Sequence, residues 1–183
     1  MMGGDFSVYI FSDPGRTLRG ELLTRAAAMH GGLAPALLRV ARRKGGKPYF
    51  PAVPELHFSV THSGGLWLCA FGGAEVGLDL QRHAPRRSMR ALSRRFFHPT
   101  ENAFLSERGY ATADFYDLWS AKESYIKYTG EGLTRPLASF SVVPAAPPGC
   151  EIRRLPFRSG FSLCICAAQL GEVRLAEPKL DEK

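Results

Sequence analysis

Long apolar runs are scarce in this sequence, and none approaches the roughly 20 residues that a membrane-spanning helix requires. The opening residues Met1-Met2-Gly3-Gly4-Asp5 lack the basic and apolar regions of a secretory signal, so the expected location is the cytoplasm, with no membrane partner. Cysteine is sparse as well. Cys164 and Cys166 share one face of an apolar segment, but Cys69 and Cys150 form no second pair at zinc-binding spacing, which leaves core packing as their reading. No repeat of fixed period and no recognised nucleic-acid motif occurs. Acidic residues are outnumbered, 17 against 24 Lys and Arg, for a net charge of +7. A nucleic acid, an acidic protein or a polyanionic small ligand would each suit that excess, and so would a plain solvated face. The basic residues gather at 39–47 and 82–95, inside structured sequence rather than in a tail.

With 183 residues, 45% hydrophobic and 11% aromatic, the chain can bury the core of one soluble domain or of two small halves. A strand is expected over 6–11, closed by the turn Ser12-Asp13-Pro14-Gly15. A helix over 16–29 follows, with Leu18, Leu22, Leu23 and Ala26 on one face, and ends at Gly31-Gly32. The apolar segment 33–40 leads into the basic loop 42–48. Strands over 56–61 and 66–71 flank the turn Gly64-Gly65. Another strand, over 75–81, alternates clearly: Val76, Leu78 and Leu80 face one way, Gly77, Asp79 and Gln81 the other. Helices are expected over 88–97 and 99–108, the second with His98 as cap, Pro99 in its first position and Glu101 in its first turn. The pattern closes with strands over 139–143 and 160–168, a Pro-rich turn between them and a charged, frayed tail from Leu175. Helix followed by strands occurs once before about residue 78 and again after it. The expected fold class is therefore α+β, with two similar α+β halves and a site between them.

The segment Trp119-Ser120-Ala121-Lys122-Glu123-Ser124-Tyr125-Ile126-Lys127 carries the most information. It reads as a helix with Asp114 as N-cap, Asp117 in the first turn and Gly130 as its stop. At about 3.6 residues per turn, Phe115, Trp119, Glu123 and Ile126 fall in one arc, so a carboxylate sits on an apolar face. A buried carboxylate costs several kcal/mol unless a cation compensates it. That cation is either Lys127, four residues on, or a metal ion. Asp79, on the polar face of its strand with Gln81 beside it, supplies the second carboxylate that a metal would need.

Gly77-Leu78-Asp79-Leu80 followed by Trp119-Ser120-Ala121-Lys122-Glu123-Ser124 and Lys127 resembles the signature of the 4'-phosphopantetheinyl transferases. Supporting segments stand in the same order: Arg16-Thr17-Leu18, Gly46-Lys47-Pro48-Tyr49, Phe58-Ser59-Val60-Thr61-His62-Ser63-Gly64, Arg94-Arg95-Phe96-Phe97, Thr129-Gly130-Glu131-Gly132-Leu133 and Phe140-Ser141-Val142. The match runs from about Arg16 to Ala168, and its two-half length resembles the monomeric Sfp type. The resemblance implies a pseudo-twofold fold with a coenzyme A side over 1–78, a metal and catalytic side over 79–175, and a charged tail over 176–183. It implies transfer of 4'-phosphopantetheine from coenzyme A to a serine of an acidic acyl or peptidyl carrier protein, with release of adenosine 3',5'-bisphosphate. It also implies Mg²⁺ held by Asp79, Glu123 and Gln81, the last directly or through a water.

By the same resemblance Glu123 accepts the carrier serine's proton, and Lys127 holds a phosphate oxygen as the leaving group develops charge. Arg16, Lys44, Gly46, Lys47, Pro48, Thr61 and His62 bind coenzyme A together with Asp79 and Lys127. Lys122 is either a charge facing a partner or one held behind the phosphate ligands. Arg90, Arg94 and Arg95 form a basic surface suited to an acidic carrier, or simply a solvated one. The sequence departs from the pattern twice. Gln81 stands where Sfp-type members often have Glu, and the basic segment that larger relatives carry before the Arg-Thr-Leu helix is absent, leaving Arg16, Arg42, Arg43 or Lys44 to take its place. A non-catalytic coenzyme A- or carrier-binding homologue is the competing expectation, whereas nucleic-acid binding gains nothing from interior acids.

Overall fold

The apolar, largely buried strands Phe6–Ser12, Leu66–Gly72, Val76–Arg82 and Phe161–Ala167 put two sheets face to face, and the computed structural model describes this arrangement for residues 4–84 and 88–178. Arg86 and Arg87 of the second basic segment, and 179–183 of the expected tail, lie outside the described residues. The first sheet has the order β4-β5-β1-β9, from β4 (His57–Ser63), β5 (Leu66–Gly72), β1 (Phe6–Ser12) and β9 (Val173–Ala176). The second has the order β6-β8-β7, from β6 (Val76–Arg82), β8 (Phe161–Ala167) and β7 (Glu151–Leu155). A short basic hairpin, β2 (Ala41–Arg42) and β3 (Pro48–Tyr49), stands apart.

Phe6, Val8, Ile10, Leu66 and Leu68 from the first sheet pack against Leu78, Leu80, Leu163 and Ile165 from the second. The other face of the first sheet, with Tyr9, Phe11, Trp67 and Phe71, is covered by Leu22, Ala26 and Ala27 of helix α1 (Arg19–Gly31). Helices α2 (Met89–Phe96), α3 (Pro99–Glu107) and α4 (Thr112–Thr129) make a further aromatic cluster around Phe97, Leu105 and Phe115. The mixed α+β architecture agrees with the sequence.

Several elements differ from expectation for definable reasons. Helix α1 starts three residues late, because Arg16 has a left-handed φ of 56° that a helix cannot pass through. Asp13 caps the turn instead, its Oδ1 accepting from the Thr17 amide at 3.1 Å. Helix α4 starts at Thr112 with Ala111 as its cap, so Asp117 lies beyond the first turn. There Asp117 accepts from the Ser162 hydroxyl and pairs with Arg154 at 3.1 Å.

The strand expected over 139–143 does not form. The Phe140 carbonyl and the Val142 amide are bonded to Lys122 and Glu101, leaving no ladder for them to join. Glu151–Leu155 pairs with β8 in its place, and Leu175 and Ala176, where a frayed tail was expected to begin, complete β9, parallel to Phe6–Tyr9. His98 does cap α3, in a capping box with Glu101, and Gly130 ends α4 with a φ of 72°.

Strand β6 is an edge strand, and its outer N–H groups are satisfied by side chains. Ser59 Oγ, Thr61 Oγ1 and Ser63 Oγ of β4 accept from the amides of Leu78, Leu80 and Arg82 at 2.9–3.0 Å. Alternate hydroxyls thus replace a neighbouring strand's carbonyls and tie the two sheets together. Gly77 of β6 meets α4 backbone to backbone: a Cβ here would overlap the Ser124 carbonyl oxygen and the Tyr128 amide. Gly77→Ala should lower the unfolding free energy by about 3 kcal/mol or more, since neither partner is a side chain that can yield. Urea denaturation checks this, and a stability near that of the parent would contradict so close a contact.

Candidate active site

The same contact brings the two acids together. Asp79, two residues beyond Gly77, is buried with 4% exposure. Its Oδ1 accepts from Lys127 Nζ at 2.8 Å and from the Thr61 hydroxyl at 3.3 Å, while its Oδ2 accepts from the Gln81 side-chain amide at 2.8 Å. Lys127 also donates to the Leu78 carbonyl at 2.9 Å. Ser120 Oγ donates to the Asp79 carbonyl at 2.7 Å, so α4 is pinned to β6 beside the site.

Glu123 is half-buried and makes no hydrogen bond or ion pair among the described residues; Lys127 turns to Asp79 and leaves the local i,i+4 pair unformed. Burial raises the Glu123 pKa, the Asp79 charge raises it further, and Lys127 opposes both. Asp79, Gln81, Glu123, Lys127 and Thr61 therefore lie together between β4, β6 and α4.

His62 extends the cluster toward α1. Its Nε2 lies 3.1 Å from the Arg19 guanidinium, and since Arg19 can only donate, this imidazole nitrogen accepts. Burial lowers the His62 pKa, and Arg19, Arg16 and Lys127 lower it further against Asp79. The imidazole thus stands among cations and stays neutral, in a setting that favours an anion. Arg16 belongs to this group. Arg19 was not foreseen, although its place three residues after Arg16 at a helix start was the available signal.

The basic hairpin borders a cleft of about 190 Å³ lined by Gly46, Lys47 and Pro48, by Ser59 and Val60 of β4, and by Lys127. Gly45 abuts the Gly130 carbonyl where α4 ends, which seats the hairpin on the helix terminus. Lys47 does not offer its ammonium to this cleft. It donates to the carbonyls of Val76 and Tyr128, each at 3.0 Å, and pairs with Glu75 at 2.6 Å. Burial lowers its pKa against the pull of Glu75. Its stem and backbone remain to line the cleft, while Lys44 is exposed at the hairpin tip.

Lys122 requires a correction. It neither faces a partner nor stands behind a phosphate, but is fully buried in an ion pair with the equally buried Glu101 at 2.7 Å. The ammonium also donates to the Phe140 carbonyl at 2.6 Å, and Glu101 accepts from the amides of His98 and Val142, each at 2.9 Å. Burial lowers the Lys122 pKa, and Glu101 opposes the shift. Breaking such a pair from one side costs about 3–5 kcal/mol. Lys122 thus fixes α4 against α3.

Among the described residues no three His, Cys, Asp or Glu side chains cluster as a metal site. The donor set at hand is two carboxylates, one of them unpartnered, and an amide. Those are hard oxygen donors of the kind that Mg²⁺ takes while keeping its other positions for water and phosphate.

The raised Glu123 pKa has a consequence for stability. The folded chain holds that proton more tightly than the unfolded chain, so the ionised carboxylate destabilises the fold at neutral pH. The penalty fades as pH falls through the folded-state pKa and vanishes near the ordinary glutamate value of 4.5. Glu123→Gln should therefore raise the Tm of the metal-free protein at neutral pH and leave it unchanged at the acid end. Calorimetry at both pH values checks this; an unchanged or lower Tm at neutral pH would contradict it.

The family model of the 4'-phosphopantetheinyl transferase superfamily matches residues 75–176, which include both acids and Lys127. A 4'-phosphopantetheinyl transferase of Bacillus subtilis is 38% identical over 174 residues, covering 87% of this chain and 77% of that protein. The 4'-phosphopantetheinyl transferase Sfp of Bacillus subtilis strain 168 is 34% identical over the same length and the same shares. The 4'-phosphopantetheinyl transferase psf-1 of Bacillus pumilus is 36% identical over 170 residues, 84% of this chain and 71% of that protein. With its acids, lysine and histidine gathered between β4, β6 and α4, the chain belongs to the 4'-phosphopantetheinyl transferase superfamily.

Proposed function

We propose that this protein transfers 4'-phosphopantetheine from coenzyme A to a serine hydroxyl of an apo acyl or peptidyl carrier protein. The observation that carries the reading is the convergence of Asp79, Glu123 and Lys127 across the β6–α4 contact. The serine oxygen forms a bond to the phosphorus that bears pantetheine. The bridging P–O bond of the pyrophosphate breaks, and adenosine 3',5'-bisphosphate leaves. Asp79 and Glu123 would hold Mg²⁺, with the Gln81 amide beside them; bound there, the ion supplies electrostatic activation of the pyrophosphate.

The chain's own residues account for the other demands. Glu123, whose pKa burial and the Asp79 charge raise in the metal-free chain, takes the serine proton directly or through a water. Lys127 offers a positive charge to the leaving phosphate. His62, Arg16 and Arg19 provide a cationic neighbourhood for the nucleotide phosphates, and Gly46, Lys47 and Pro48 wall the adjoining cleft. The nucleotide-facing residues Arg16 and His62 belong to the half over 1–78, the catalytic ones to that over 79–175. Arg90, Arg94 and Arg95 suit an acidic carrier. No helix among the described residues is long and apolar enough to cross a membrane, and the reading is of a monomeric, cytoplasmic enzyme without a nucleic-acid partner.

The test mixes the protein with Mg²⁺, coenzyme A and a panel of apo carriers, and weighs the products by mass spectrometry. One added phosphopantetheine arm is expected. It should be lost with Asp79→Ala or Glu123→Ala, while Gln81→Glu should lower the Mg²⁺ concentration needed. Transfer that survives either alanine variant would overturn the mechanism, and no transfer to any carrier would leave a binding protein.

A further inference from the structure

Asp79 has little free surface. Lys127 and Thr61 donate to one carboxylate oxygen and Gln81 donates to the other, and the side chain is 5% exposed. Three of the roughly four lone-pair sites of the carboxylate are thus taken, and an ammonium 2.8 Å from it repels a divalent cation. The cation therefore cannot simply be added to this arrangement.

Lys127 is the group able to move. It sits in the last turn of α4, its side chain is 30% exposed, and it lines the cleft beside the basic hairpin. Thr61, by contrast, is fixed by the Leu80 amide, which donates to its hydroxyl at 3.0 Å. Lys47, the neighbouring lysine, is committed to Glu75 and two carbonyls, so Lys127 is the ammonium left to meet an anion in that cleft.

We propose that Lys127 is an exchangeable counter-ion of Asp79, which a divalent cation replaces only when a phosphate of the substrate draws the ammonium away. The inference rests on the reading that the cation binds at Asp79 and Glu123, and adds an order to it. Metal alone binds weakly, since Lys127 would lose its anion and find only Glu123, which the metal also claims. With a pyrophosphate present, the ammonium trades one anionic oxygen for another and Asp79 opens. Gln81 reinforces the closed state, because its amide N–H satisfies Asp79 Oδ2 where a carboxylate would repel it. The two ligands thus recruit each other through one lysine.

The experiment measures Mn²⁺ binding by electron paramagnetic resonance, with and without coenzyme A and with no carrier present. Lys127→Met should bind Mn²⁺ alone about tenfold more tightly than the parent, within the range usual for linked sites. Its further gain on adding coenzyme A should shrink by a similar factor. Lys127→Gln, which keeps a neutral donor for the Leu78 carbonyl, should move in the same direction and serves should the first variant fold poorly. If both folded variants bind Mn²⁺ alone no more tightly than the parent, the exchange is wrong. Asp79→Asn separates the two ideas: it should abolish Mn²⁺ binding with coenzyme A present. Retained binding would remove the cation from Asp79 and overturn the underlying reading with it.

Discussion

The backbone contact between β6 and α4 at Gly77 is the constraint on which the site depends. The two α4 residues that leave no room for a Cβ are Ser124 and Tyr128, and each directly follows a side chain of the candidate site, Glu123 and Lys127. Asp79 lies two residues along the opposing strand, on the same face as Gly77. One close approach therefore fixes all three groups relative to one another. Gly45, against the Gly130 carbonyl, repeats the device and positions the hairpin that walls the cleft.

Holding a helix this close to an edge strand needs compensation, and the sequence supplies it with buried polar groups. Ser120 bonds the β6 carbonyl beside the site, while Ser59, Thr61 and Ser63 satisfy the strand's outer amides. Lys122 and Glu101 lock α4 to α3 from the far side. Two lysines five residues apart on one helix thus have opposite fates. Lys122 is enclosed by permanent partners and is structural. Lys127 is partly exposed, and its ion pair uses the carboxylate proposed to hold the cation.

Much of this was legible in the residues. The alternation over 75–81 set the face of Asp79, the arc through Phe115 and Ile126 flagged Glu123, and Gly130 marked the helix end. The unread features share a cause: their partners are distant in sequence. Lys122 looks like a surface lysine until Glu101 is found, and Glu101 looks like an ordinary helix N-terminal acid. The apolar stretch over 139–143 reads as a strand, but its polar groups belong to that ion pair. Glu151–Leu155 escaped notice because an edge strand keeps its charged residues in water. Lys47 reads as a nucleotide ligand, whereas its ammonium is taken by Glu75 and two carbonyls. The hydroxyls of Ser59, Thr61 and Ser63 did carry a period of two, an overlooked signal that, like Arg19 after Arg16, was local.

The central claim is that a strand and a helix, joined at Gly77, build one cation site from Asp79 and Glu123. A crystal structure with Mn²⁺ and coenzyme A, read by anomalous scattering, tests it most directly. The account predicts a single peak between the Asp79 and Glu123 carboxylates, within reach of the pyrophosphate, and Lys127 Nζ moved from Asp79 onto a phosphate oxygen. A peak elsewhere, or Lys127 still paired with Asp79 while pyrophosphate and metal are bound, would contradict it.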